Sequence, residues 1–91
     1  MDKQWCLYIL CCKDGTLYTG ITDNLQRRLS QHNEGKGAKY TRGRGPVSVV
    51  YVEQCENKSH ALRREIAVKK LSRAQKQLLC ESYNKSASGF T

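Results

Sequence analysis

Ninety-one residues with 38% hydrophobic content make one small domain with room for a single core. No apolar run approaches a membrane span, and the first residues, MDKQWCLYILCC, hold no cleavage site or room for one. Five cysteines without a Cys-x-x-Cys pair and only two histidines exclude zinc-ligand spacing, so the expectation is free buried thiols in a reducing cytoplasm.

Residues 5–12 are apolar on both faces and suit an interior strand. Lys13-Asp14-Gly15 gives a turn with glycine where a positive φ is needed, and Thr16–Ile21 returns as a second strand. A three-residue loop pairs Cys12 with Thr16, so Leu10 faces Tyr18, Tyr8 faces Gly20, and the two tyrosines lie diagonally on one face. A two-residue loop would throw them to opposite faces, and the Lys-Asp-Gly sequence favours the first. Asp23 or Asn24 can cap a helix to about Glu34, and residues 35–46 (GKGAKYTRGRGP) form a loop. Val47–Gln54 is a third strand. Ser59 is a cap for a helix from His60 to about Leu71, and Ser72 for another from Arg73 to about Ser82. The order β-β-α-β-α-α predicts an α+β domain over residues 1–83, with a small three-stranded, mainly antiparallel sheet flanked by helices. Residues 84–91 read as a flexible tail.

The net charge of +8 sits in two blocks. Residues 27–44 hold six Lys/Arg against Glu34, residues 58–76 hold seven against Glu65, and the remainder sums to −3. Such concentration points to a polyanion, nucleic acid first, with solvated basic helix faces as the alternative.

Projected down the axis of the first helix from Asn24, Leu25 and Leu29 form one apolar stripe, with His32 at its edge and Arg28 a little further round on the same side. Arg28 and His32, one turn apart, therefore border the buried stripe, while Arg27 falls opposite it and faces solvent. An arginine snorkelling at a core edge beside a solvated histidine would look the same. On the second helix, projected from Ala61, the apolar arc runs from Val68 through Ala61 to Leu62 and Ile66, and Glu65 falls inside it. A carboxylate there needs a partner: Lys69 one turn on, or a hard divalent cation. His60, Arg63, Arg64 and Lys70 read as the helix's outer face.

Cys6-Leu7-Tyr8 followed by Tyr18-Thr19-Gly20 resembles the paired motifs of the GIY-YIG nuclease superfamily. Arg28 ten residues after the second tyrosine, His32 four further on and Glu65 on the helix after the third strand match as well. The resemblance spans roughly residues 4–80, and GAKYTRGRGP and ALRREIAVKKLSRAQK look like the small stand-alone bacterial members. It implies metal-dependent hydrolysis of a DNA phosphodiester. Tyr8 would activate or hold water, Tyr18 would support that water and the phosphate, and Arg28 would bind the scissile phosphate. His32 would assist in proton transfer or leaving-group contact, and Glu65 would hold a single Mg²⁺ or Mn²⁺. Apart from the resemblance, both tyrosines also fit plain strand packing.

Two departures stand out. Cys6 occupies the place of the first motif's usual glycine, and Ile21 follows Gly20 where excision-repair relatives carry lysine. No separate DNA-binding domain is expected in this chain, so affinity falls to Lys36, Lys39, Tyr40, Arg42 and Arg44 of the loop and to Lys69. Backbone contacts of this kind favour structure selectivity in repair or recombination over base reading. RNA stays open as a substrate, as do a protein partner and a homodimer, and a non-catalytic nucleic-acid-binding module is the rival reading.

Overall fold

The computed structural model describes residues 4–35 and 46–88, with side chains described as far as Tyr83. Its elements are β1 (Cys6–Cys11), β2 (Leu17–Thr22), α1 (Leu25–Asn33), β3 (Ser48–Gln54), α2 (Lys58–Lys69) and α3 (Arg73–Ser88). The strands form one antiparallel sheet in the order β2-β1-β3, the α+β arrangement expected from the sequence. β1 takes the centre because it is apolar on both faces. Leu7 and Ile9 enter one core cluster with Val68 and Cys80, while Tyr8 and Leu10 enter the other with Cys12 and Val47.

The hairpin closes as the Lys-Asp-Gly turn predicts. The Cys12 amide donates to the Thr16 carbonyl and the Gly15 amide to the Cys12 carbonyl, both at 2.9 Å, with Gly15 at φ 86°. Leu10 pairs with Tyr18 and Tyr8 with Gly20, so both tyrosines stand on one face. On the other side of β1 the register slips between Ile9 and Leu10: Ile9 opposes Tyr51 and Leu10 opposes Val49. The extra residue, Val50, is a bulge that turns Val50 and Tyr51 together toward the first cluster and leaves Val49 in the second.

The sheet is thus covered on both faces. α1 closes the Tyr8 face with Leu25 and Leu29, and α2, α3 and the turn between them close the other with Val68, Leu71, Leu79 and Cys80. Asn24 caps α1, its Oδ1 accepting from the Arg27 amide at 3.0 Å. The Asn33 side chain accepts from the Val47 amide at 2.8 Å and ties the end of α1 to the approach to β3. Ser72 and Gln75 cap the start of α3 reciprocally, each side chain accepting from the other's amide. Among the described residues no helix is long and apolar enough to cross a membrane.

Three local expectations are revised. α2 is capped by Asn57 rather than Ser59, because the Asn57 side chain accepts from the His60 amide at 2.8 Å while His60 Nδ1 accepts from the Glu56 amide at 3.1 Å. This reciprocal pair satisfies two donors of the kind a helix start leaves unpaired. The inner face of α2 is Ala61, Arg64, Glu65 and Val68, whereas Leu62 and Ile66 are 41% and 57% exposed. Small Ala61 lets the helix approach closely, and Arg64 is drawn in from the expected outer face by Glu53 of β3, donating through Nε at 2.5 Å and Nη2 at 2.9 Å. Finally, α3 continues to Ser88, beyond the end expected near Ser82.

Candidate active site

The helical projection read from the sequence describes α1 well. Leu25, Arg28, Leu29 and His32 turn inward, and Arg27 points out, pairing with Asp23 at 3.5 Å. His32 is the one fully buried residue of this helix, at 2% exposure. Its ring meets both tyrosines of the hairpin: 5.3 Å between centroids to Tyr18 and 6.1 Å to Tyr8, with the tyrosines 6.4 Å from each other. The Tyr8 hydroxyl lies 3.2 Å from His32 Nε2, at the centre of the cluster.

Protonation decides the direction of that bond. Burial pushes the Tyr8 phenol up to about 12, against a downward pull from the Arg28 guanidinium. Burial, and then the charge of Arg28, hold the His32 imidazole below its usual value. At neutral pH the phenol is therefore protonated and the imidazole neutral, so Tyr8 donates to His32. Arg28 interacts most strongly with the Tyr8 hydroxyl and also with Tyr18. Its Nη1 is held from behind by Gln31 Oε1 at 3.1 Å. Gln31 is a positioning residue that the sequence reading passed over, although its place three residues after Arg28 was a usable signal.

The cluster is close-packed because of a glycine. A Cβ at Gly20 would stand 2.6 Å from Tyr8 Oη, 2.8 Å from its Cζ and 3.1 Å from Tyr18 Cε1. The partner position of Tyr8 on β2 must therefore lack a side chain if the phenol is to reach His32. Cys6, by contrast, is accommodated without opening the site, since it is buried at 4% and pairs with Thr22 at the far end of β1.

Glu65 stands apart from these four residues, on a helix that covers the opposite face of the sheet. α2 packs against β2, the edge strand that carries Tyr18. The Glu65 side chain is 21% exposed, and Lys69 Nζ lies 3.4 Å from its Oε2, the ion pair that the sequence allowed as one alternative. A partly exposed carboxylate with one exchangeable ammonium partner is a fit ligand for a hard cation. Among the described residues no group of three His, Cys, Asp or Glu side chains could hold a metal ion, so the rest of such a shell would be water and phosphate oxygen. Lys36, Lys39, Tyr40, Arg42 and Arg44 lie outside the described residues.

Comparison with known proteins agrees with this fold. Residues 4–78 match the GIY-YIG catalytic domain. UPF0213 protein OB0043 of Oceanobacillus iheyensis is 54% identical over 81 residues, spanning 89% of this chain and 94% of that one. UPF0213 protein CPE1444 of Clostridium perfringens is 59% identical over 76 residues, spanning 84% of this chain and 82% of that one. Among solved structures, the solution NMR structure of EF2693 from E. faecalis superposes with a TM-score of 0.62 at 41% identity, covering 91% of this chain and 88% of that one. That of the UPF0213 protein BH0048 from Bacillus halodurans gives 0.56 at 49% identity, covering 86% and 83%. The chain belongs to the GIY-YIG catalytic-domain family.

Proposed function

We propose that this protein is a divalent-metal-dependent endonuclease that hydrolyses DNA phosphodiester bonds, selecting by structure rather than sequence, in repair or recombination. The observation that carries the reading is the buried Tyr8–His32 hydrogen bond with Arg28 beside it. Strand packing accounts for a tyrosine at position 8, but it gives no reason to bury a neutral histidine as the phenol's acceptor.

In the proposed reaction a water at the phosphate gives its proton to Tyr8 Oη as Tyr8 passes its own to His32 Nε2. The relay suits a phenol that, at about 12, is ionised only about once in 10⁵ molecules at pH 7. The hydroxide attacks phosphorus as the bond to the leaving oxygen breaks, and that oxygen departs with the bonding pair and takes a proton from bulk water. Arg28 neutralises charge on the non-bridging oxygens, and Tyr18 orients the water. The imidazolium formed at His32 sits beside Arg28, an unfavourable pairing that the bound phosphate relieves. Glu65 would hold the single Mg²⁺ or Mn²⁺, which when bound supplies Lewis-acid stabilisation of the phosphate. Lys69 and the basic loop residues Lys36, Lys39, Tyr40, Arg42 and Arg44 would hold the flanking backbone.

The test is cleavage of labelled single-stranded, nicked and branched DNA with Mg²⁺ or Mn²⁺, with Glu65→Ala purified alongside. Products made by the wild type and absent with the variant support the nuclease. Equal background from both, with DNA still bound, assigns the chain to non-catalytic binding.

A further inference from the structure

On the other side of β2 from Tyr8, a cleft of about 320 Å³ is lined by Leu17, Tyr18, Thr19, Lys69 and Lys76. Three features separate it from an ordinary surface groove. Lys76 lies on the inward stripe of α3, with Leu79, Cys80 and Tyr83 at the following three, four and seven positions, where an apolar residue would be expected. Lys69 enters from α2, leaning on Glu65 at 3.4 Å. Thr19 lines the same cleft from β2. It is 4% exposed, and its Oγ1 is buried with no hydrogen-bond partner among the described residues. An orphaned buried hydroxyl is unfavourable in an empty protein and is completed by a ligand that accepts a hydrogen bond.

Two lysines lining one cleft with an unpartnered buried hydroxyl in its wall favour an anion with several acceptor oxygens. Tyr18 lines this cleft and also meets Tyr8 and His32, so the cleft adjoins the catalytic cluster across a single edge strand. Lys69 is one turn of α2, about 6 Å, beyond Glu65. That step is comparable with the spacing of neighbouring phosphates on an extended single strand.

We propose that the cleft between β2 and the α2–α3 pair is a second phosphate subsite. In it Lys69, Lys76 and Thr19 hold the internal phosphodiester next to the one being cut. The inference rests on the nuclease reading for the identity of the strand, but the anion site can be tested without turnover. A strand bound in this way runs over the β2 edge, with one phosphate at the Tyr8 side and its neighbour at the lysine side.

The experiment is amide NMR of the isotopically labelled chain, titrated first with inorganic phosphate and then with a short oligothymidylate lacking terminal phosphates. Both are expected to shift the Leu17 and Thr19 amides. In Lys69→Gln/Lys76→Gln the affinity should fall at least tenfold, and the dependence of log affinity on log salt for the oligonucleotide should flatten by about 0.7, one phosphate contact on a single strand. Thr19→Val, similar in shape but unable to donate, should weaken phosphate several-fold with both lysines in place. Amides that do not move, or that move equally in the double variant, overturn the subsite. Shifts seen only with a 5′-phosphorylated oligonucleotide overturn the internal-phosphodiester assignment and identify a terminal phosphate site. Persistence of the phosphate response in a wild-type chain that cuts nothing would refute the nuclease reading and leave the anion site standing.

Discussion

Gly20→Ala adds one methyl group at the point where the candidate site is tightest. The new Cβ would lie 2.6 Å from Tyr8 Oη, and reaching ordinary contact near 3.4 Å requires roughly 0.8 Å of retreat. Tyr8 has no open space to retreat into, being 1% exposed, and moving its hydroxyl disturbs the 3.2 Å contact with His32. Overpacking of this kind costs about 1–3 kcal/mol, offset by about 0.4–1 kcal/mol from the stiffer unfolded chain, for a net loss of about 1–2 kcal/mol. In a domain of this size that lowers Tm by roughly 4–16 °C. A displacement approaching about 1 Å at the reacting oxygen should reduce the single-turnover rate about 100-fold. Urea unfolding and single-turnover cleavage of labelled single-stranded DNA read the two effects separately. Removing the clashing oxygen in Gly20→Ala/Tyr8→Phe should recover part of the stability, a coupling on the order of 0.5–2 kcal/mol in a double-mutant cycle. A Gly20→Ala protein as stable and as active as the wild type would show that the phenol is not held against that backbone.

The stability profile against pH follows from the same groups. Above pH 10 the unfolded chain releases the Tyr8 proton while the folded chain keeps it to about 12, so stability falls as pH rises through that window. Two pH units correspond to about 2–3 kcal/mol from Tyr8. Tyr51, raised to about 12 chiefly by burial, adds a second contribution, so Tyr8→Phe should shrink the alkaline limb of a urea-denaturation series without abolishing it. His32, depressed by burial and Arg28, works at the other end: stability should fall as pH drops below about 6.5, and His32→Gln should flatten that limb. Glu53→Gln weakens the Arg64 fork and should cost about 1 kcal/mol by denaturant unfolding, a modest figure because both side chains remain partly exposed. Thr19→Val removes the orphaned hydroxyl and should raise Tm by a few degrees, and a lower Tm would mean that Thr19 is already satisfied in the free protein.

The hairpin and α1 were legible in the sequence because each is controlled by a short local rule. Three residues between Cys12 and Thr16 set the parity of the whole register, and the helical step counted from Asn24 sets which arginine turns inward. α2 was less legible for a physical reason. Its outward residues Leu62 and Ile66 are more apolar than its inward Arg64 and Glu65, so the hydrophobic pattern points the wrong way. What turns the helix is a non-local pair, Arg64 with Glu53, and small Ala61 packed flush at 0% exposure. The bulge at Val50 was illegible for a similar reason, since an apolar run such as Val47–Val52 fits either parity until its partner strand is known.

The position of Glu65 carries a consequence for how the proposed site must work. Tyr8, Arg28 and His32 belong to the face closed by α1, whereas Glu65 and Lys69 ride on a helix that closes the other face. With β1 buried between them, the two sets can address one phosphate only around the β2 edge. An edge strand offers unpaired backbone groups as well, which a strand-like ligand can approach closely. In the proposed reaction this arrangement would separate the acid–base residues and Arg28 from the metal-binding carboxylate by the thickness of a β-strand. The two functions should therefore fail independently. Tyr8→Phe should abolish cleavage while metal affinity, read by isothermal titration with Mn²⁺, stays intact. Glu65→Gln should abolish metal affinity while the Tyr8–His32 contact, read from the His32 ring NMR signals, stays intact. Loss of both properties in either variant would place all five residues in one continuous cluster and refute the two-sided geometry.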